Sequence, residues 1–546
     1  MGRLTTPWVM GAPLDRGESL SRSVPKAPGL DLLRVPVLGP FLRWKHARTT
    51  LQLVLLAAAA VVILDGLFGP QLAPKNMAGV LPWVHWRGFV ALALLVAGNL
   101  FCMACPFMLT RRPAKALFRA HRHWPRALRT KWLAVGLLLL FFWAYEAFDL
   151  WASPWLTAWL AVTYFVAAFV IDAFFRGAAF CKYVCPIGHF HFVNSLASPV
   201  EVAVREPEIC AQCRTRDCIV GRYEEPRALV PLGVGGNPEA PASEASGTSA
   251  TLERESRETG NPHGPRRPRE RGKLLQRGCE LWLYQETKVG NMDCTFCMEC
   301  IQACPYDNVG ILGRSPAREL WEDPLRAGVG RFSQRPDLAA LALFLTFAAF
   351  MNAFGMVTPV YALEAWMGRV LGIASEPVIL AILFLAGTVV IPGALVGLAA
   401  WASSRLSGSG TSVVREATLY GYALVPVGFG MWVAHYLFHF LVGGLAVIPL
   451  TQEYLADLGL PFLGSPQWTL GPVLPDAWLL PLELLFLELG LLVSLVVAYR
   501  IAVREVGAGP RTLRAFLPWG LLALLLSGAG IWLLMQPMEM RGTVMG

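Results

Sequence analysis

The sequence predicts a mainly α, polytopic helical membrane protein with a soluble domain inserted between two groups of spans. Three observations carry this. Of the 546 residues, 55% are hydrophobic and only 16% charged, with mean hydropathy +0.48, whereas a soluble globular protein carries roughly 25% charged residues. Apolar runs of bilayer-crossing length, about 20 residues within a range of roughly 17 to 25, recur along the chain. One long polar stretch, 176–336, interrupts them and holds most of the 12 cysteines. This composition excludes an ordinary water-soluble enzyme, and it excludes disorder over most of the length. Nineteen Trp and 29 Phe fit lipid-facing helices with interfacial belts. A net charge of +9 is common to nucleic-acid binders and to membrane proteins with basic loops; the apolar runs select the second, and no nucleic-acid partner is expected.

Nine spans are predicted, at 51–67, 88–105, 133–150, 155–175, 337–357, 375–402, 418–448, 479–499 and 516–535. The seventh is too long for one straight span, and its Pro426, Gly428 and Gly430 predict a kink. No signal peptide is expected before the first run, which starts at Leu51 after 50 residues bearing eight Lys and Arg. Counted over the short segments between spans, 22 Lys and Arg fall on one side and 4 on the other, so the richer side is read as cytoplasmic. The chain then has its N-terminus in, its C-terminus out and the inserted domain in the cytoplasm, as a multi-pass protein of the inner (cytoplasmic) membrane. None of the 47 basic residues falls inside a predicted span. The organisation is a basic tail (1–50), a four-span membrane domain (51–175), the inserted domain (176–336) and a five-span membrane domain (337–546).

Every cysteine falls at or beyond the cytoplasmic end of a span, in a compartment where disulfides are rare, so metal or redox chemistry is expected. Cys294-Thr-Phe-Cys297-Met-Glu-Cys300-Ile-Gln-Ala-Cys304-Pro305 is the C-x2-C-x2-C-x3-C-P run that wraps a 4Fe–4S cubane. Upstream, Cys210, Cys213 and Cys218 form a triplet with no neighbouring fourth, and Cys279 follows only after a stretch rich in Pro, Gly, Ser and charge at about 223–275, the composition of a disordered insertion. Two 4Fe–4S clusters are expected on these eight residues. If each run lends its last ligand to the other cluster, Cys304 completes 210/213/218 and Cys279 joins 294/297/300; the uncrossed assignment uses the same eight. Two further pairs, Cys102-Met-Ala-Cys105-Pro106 and Cys181-Lys-Tyr-Val-Cys185-Pro186, sit at one membrane depth. Four soft thiolates there could hold a third metal or exchange electrons as dithiols, with each proline ending its helix.

On Phe101–Pro106, Phe180–Pro186 and Cys294–Pro305, about residues 50–310 of the chain resemble the polyferredoxin-type membrane proteins of nitrate and nitrous-oxide respiration. They are also similar to the cytochrome-oxidase assembly ferredoxins. The five later spans are closer to a membrane ferredoxin of cyclic electron flow. The resemblance implies a cytoplasmic two-cluster ferredoxin-like domain and electron transfer between the quinone pool and a redox partner protein or complex, or reduction of a metal during oxidase maturation. Departures are the two residues between Cys102 and Cys105 where three are expected, and the split first run.

In the last five spans, His435 and His439, spaced i, i+4, and Glu483 and Glu488 are the polar exceptions; intramembrane ionisable groups often mark quinone or proton sites. Glu146 and Asp149 close the third span, and His121 and His123 are read as surface. Two histidines on one helix face cannot both ligate one haem. No nucleotide loop or catalytic triad is present: Gly328-Val329-Gly330-Arg331 lacks the strand–turn–helix context that such a loop needs.

Overall fold

The computed structural model describes residues 29–118, 122–224 and 273–538. Among them are eight helices long and apolar enough to cross a membrane: α1 (Ala47–Phe68), α2 (Met77–Ala97), α4 (Pro154–Phe174), α5 (Pro336–Phe354), α6 (Glu376–Ser407), α7 (Val413–Asp457), α8 (Asp476–Val506) and α9 (Pro510–Leu534). The third expected span is a shorter apolar helix, α3 (Trp132–Ala147). At 1.5 Å per residue it rises about 24 Å, against a hydrocarbon core of about 30 Å.

Packing nevertheless makes α3 run the length of α5. Lys131, just before α3, donates its backbone N–H to Asp337 Oδ2 at 2.8 Å, at the start of α5. At the other end Glu146 lies against Gly355, where a β-carbon would meet its carboxylate oxygen at 3.0 Å. A turn at 148–152 follows the helix.

Helix starts follow from local chemistry. Ser153 Oγ accepts the Leu156 N–H at 3.3 Å with Pro154 opening α4, a capped start with proline at the first helical position. Helix α5 lies innermost, most of its side chains buried among its neighbours, whereas α1 turns most of its surface outward. Helices α7 and α8 approach through glycine: a β-carbon on Gly430 would meet Phe486 O at 2.6 Å, and one on Gly490 would meet Pro426 O at 2.5 Å. Small residues at such contacts let membrane helices pack backbone to backbone.

Three boundaries depart from expectation. Helix α2 starts at Met77 rather than 88, so Arg87 lies inside a candidate span, contrary to the expectation of none. It is tolerated because its guanidinium sits 4.7 Å over the rings of Trp83 and Tyr145 and 5.2 Å over Tyr436, replacing part of the lost hydration. The same helix stops at Ala97, where Gly98 adopts φ +61°; Cys102 follows on a separate short helix, Leu100–Ala104. In α7 two 3-10 stretches, Gly421–Leu424 and Gly444–Ala446, interrupt the helix, the first before Pro426 rather than at it; proline there sits in the first turn of the next helical segment, where it costs no hydrogen bond.

The inserted segment contributes two small antiparallel sheets. Strand β1 (Val200–Val204) pairs with β4 (Val309–Gly313), Val200 opposite Gly313 and Val204 opposite Val309. Strand β2 (Arg222–Tyr223) pairs with β3 (Leu274–Gln276). Just inside that second pair, Glu224 N–H reaches Lys273 O at 2.9 Å. The expected insertion at 223–275 otherwise lies outside the described residues.

Candidate functional site

The twelve cysteines are all free thiols, and the fold gathers them into three groups of four. In the first group, Cys210, Cys213, Cys218 and Cys304 line one cavity together with Tyr284 and Asn308. Cys210 sits on the short helix Pro207–Gln212 and Cys213 caps its end; Cys218 lies on Asp217–Val220. Asn308 links the distant fourth member: its N–H donates to Cys304 Sγ at 3.3 Å and its side-chain amide to Cys210 Sγ at 3.5 Å. Burial pushes the Cys210 thiol up to about 11 and that of Cys218 up to about 12, with neighbouring cysteines adding to both. Uptake of a metal would displace these protons.

The second group is Cys279, Cys294, Cys297 and Cys300; burial raises the Cys300 thiol, and Cys279, Cys297 and Cys294 are the sulfurs that add to the shift. Cys279 N–H donates to Cys218 O at 2.8 Å, which ties the two groups together, and Leu283 N–H donates to Cys279 Sγ at 3.4 Å. Across residues 293–300 three non-glycine residues, Asp293, Phe296 and Met298, have φ of 59°, 52° and 62°. Such strain is kept where the surroundings over-determine it, typically at functional sites.

The third group is Cys102, Cys105, Cys181 and Cys185, adjoining Cys294. The prolines act otherwise than expected. Pro106 opens the 3-10 turn Pro106–Thr110 and Pro186 opens the helix Pro186–Asn194, so each starts a helix, and Cys105 and Cys185 are their N-caps. Proline suits the first helical position because its missing N–H is unneeded there. At Cys185 the consequence is chemical: its sulfur replaces the usual capping oxygen and accepts Gly188 N–H at 3.2 Å, whereas Cys105 caps its turn through its backbone, its carbonyl accepting Met108 N–H at 3.3 Å. A helix N-terminus aimed at sulfur stabilises thiolate.

Sequence reasoning missed the residues that join the groups. Asn99 donates to Cys294 O at 2.7 Å and Asn291 O at 3.2 Å, fastening the second group beside Cys102. His191 Nδ1 lies 3.2 Å from Cys102 Sγ. An ion-pair ladder runs Asp172–Arg111–Glu280–Arg48–Glu299, with Arg111 to Asp172 at 2.6 Å, Arg48 to Glu280 at 3.4 Å and Arg48 to Glu299 at 3.1 Å. Burial works against ionisation of Glu280, but Arg111 and Arg48 outweigh it and hold its carboxyl at about 2. The legible signal was adjacency: Glu280 follows Cys279, Glu299 precedes Cys300, and Arg111 follows the first Cys-Pro pair.

Among the described residues, no group of three or more His, Cys, Asp or Glu is gathered tightly enough for a single metal ion. One tetrahedral ion with bonds of about 2.3 Å would draw its sulfurs to about 3.8 Å of each other. A 4Fe–4S cubane takes four thiolates, one on each iron, and each group offers four free cysteines.

The intramembrane candidates lie elsewhere. His435 and His439 are buried with rings 4.8 Å apart, and both His435 nitrogens lack a partner. Arg87 donates to the Tyr145 hydroxyl at 3.2 Å. Glu488 accepts from Ser527 Oγ at 2.7 Å, and buried Glu483 keeps one oxygen unpartnered. Among the described residues no hydrogen bond or ion pair joins either glutamate to the two histidines. His123 is exposed, and His121 lies outside the described residues.

Compared with protein-family models, curated proteins and solved structures, the chain matches none.

Proposed function

We propose that this is a membrane-bound iron–sulfur electron-transfer protein, passing single electrons between a cytoplasmic redox partner and the quinone pool or a membrane partner subunit. The observation that carries the reading is the sorting of all twelve cysteines into three groups of four, each with protein N–H groups directed at sulfur. Cys210, Cys213, Cys218 and Cys304 would hold one 4Fe–4S cluster, and Cys279, Cys294, Cys297 and Cys300 the other, in a ferredoxin-like inserted domain. Cys102, Cys105, Cys181 and Cys185 would hold a third metal or redox centre on the membrane side. Such clusters, when bound, supply one-electron chemistry. The chain's own residues supply the rest: N–H donors to sulfur at Cys185, Cys279 and Cys304 that favour thiolate, and a buried ladder that fixes one group against the next. The Lys and Arg asymmetry supports a cytoplasmic inserted domain. Buried His435 and His439 beside Arg87 support a polar site within the membrane for a quinone.

A second reading, reduction of a metal ion for maturation of a respiratory enzyme, uses the same centres, and a non-catalytic wiring subunit of a larger complex is the third. One experiment separates them. Protein purified anaerobically in detergent and reduced with dithionite is mixed with a short-chain ubiquinone analogue or with Cu(II). Oxidation by the quinone alone supports the first reading, and oxidation by Cu(II) alone supports the second. Oxidation by neither, with a catalytic subunit co-purifying, supports the third.

A further inference from the structure

Arg111 occupies an unusual place in the ladder. Its side chain is 4% exposed, and each arm of the guanidinium has a different partner. Nε donates to Asp172 Oδ2 at 2.6 Å at the end of α4, Nη1 pairs with Glu280, and Nη2 donates to Cys181 Sγ at 3.2 Å. The other Asp172 oxygen accepts the Phe180 N–H at 3.3 Å, one residue before that same cysteine. A permanently charged cation thus touches one sulfur of the membrane-side quartet, and its counter-carboxylate holds the backbone beside it.

Fastening alone would be served by the two carboxylates. The third donor, spent on sulfur, has an electronic consequence. Adding one electron to a thiolate-ligated centre adds one negative charge with no proton required. An N–H donor and a positive charge at the ligating sulfur favour the reduced form, and a nearby carboxylate disfavours it. Arginine suits the task because it cannot lose its proton and its planar fork serves three partners at once.

We propose that Arg111 is a positioning residue that raises the reduction potential of the centre held by Cys102, Cys105, Cys181 and Cys185, with Asp172 opposing it. This rests on the electron-transfer reading above. The opposed signs give the test. Full-length protein in detergent is titrated with redox mediators and followed by electron paramagnetic resonance and visible absorption, for wild type, Arg111→Gln, Arg111→Lys and Asp172→Asn. The quartet's potential should fall in Arg111→Gln, fall less in Arg111→Lys, and rise in the near-isosteric Asp172→Asn. The centre on Cys210, Cys213, Cys218 and Cys304 should stay put in all three. Shifts of the same sign in Arg111→Gln and Asp172→Asn, or no shift, with iron content intact, would overturn the assignment alone. If Arg111→Gln fails to fold, Asp172→Asn decides: an upward shift supports the assignment and an unmoved potential overturns it. A wild type showing no redox signal that Cys105→Ser removes would overturn the quartet's redox reading together with the assignment.

Discussion

Asn308 joins Cys304 to Cys210, donating its backbone N–H to one sulfur at 3.3 Å and its side-chain amide to the other at 3.5 Å. The two cysteines belong to different sequence runs, yet they line one cavity. Cys279, the stray residue of the sequence, correspondingly lies with Cys294, Cys297 and Cys300. Of the two assignments that the sequence left open, this geometry favours the crossed one.

Crossing predicts paired losses. Cys304→Ser should abolish the same spectroscopic signal as Cys210→Ser, and Cys279→Ser the same signal as Cys300→Ser, each leaving the other signal in place. Cluster signals measured on the four single variants check this; Cys304→Ser behaving like Cys300→Ser would restore the uncrossed assignment.

Excision of the insertion should be harmless. Strands β2 and β3 pair, and Glu224 and Lys273 are hydrogen-bonded at 2.9 Å, so a short Gly-Asn turn can replace 226–270 without moving either strand. Iron and acid-labile sulfide per chain should match wild type. Loss of the Cys210 group's signal on excision would assign the segment a structural role.

Close packing between α7 and α8 makes a sharper prediction. A β-carbon at Gly490 meets the Pro426 carbonyl oxygen at 2.5 Å, while at Gly393 nothing lies within 4 Å. Gly490→Ala should cost about 1–3 kcal/mol through overpacking. Gly393→Ala should be neutral or stabilising by up to about 1 kcal/mol, since alanine is the better helix former. Thermal unfolding in detergent compares the two, and equal melting temperatures would contradict the packing.

The membrane-side quartet should be needed for transfer but not for the other two groups. Cys105→Ser or Cys185→Ser is expected to stop oxidation of the reduced protein by a quinone analogue while the two centres of the inserted domain still form and reduce. Stopped-flow absorption follows this. Wild-type rates in the quadruple serine variant would reduce these cysteines to small buried hydrophobes.

The sequence made the apolar spans and the cysteine spacings legible because both are local patterns, read by period and count. What it hid is set by tertiary placement. The length of α3 is explained only by its ends meeting Asp337 and Gly355. Arg87 looked like a loop residue because the aromatic rings that shelter it come from α3 and α7 as well as its own helix. The prolines after Cys105 and Cys185 read in sequence as helix stops, and the N-cap geometry makes them starts. The ladder from Asp172 to Glu299 joins four separate stretches of chain, around residues 48, 111, 172 and 280–299, which no local window contains.

The most direct test of the central claim is iron and acid-labile sulfide per chain after anaerobic purification, read beside low-temperature electron paramagnetic resonance of the dithionite-reduced protein. The account predicts about eight of each from the two cubanes of the inserted domain, any further iron being removed by Cys105→Ser, with two interacting reduced-cluster signals. Iron near zero, or about four unchanged by Cys213→Ser, would contradict it.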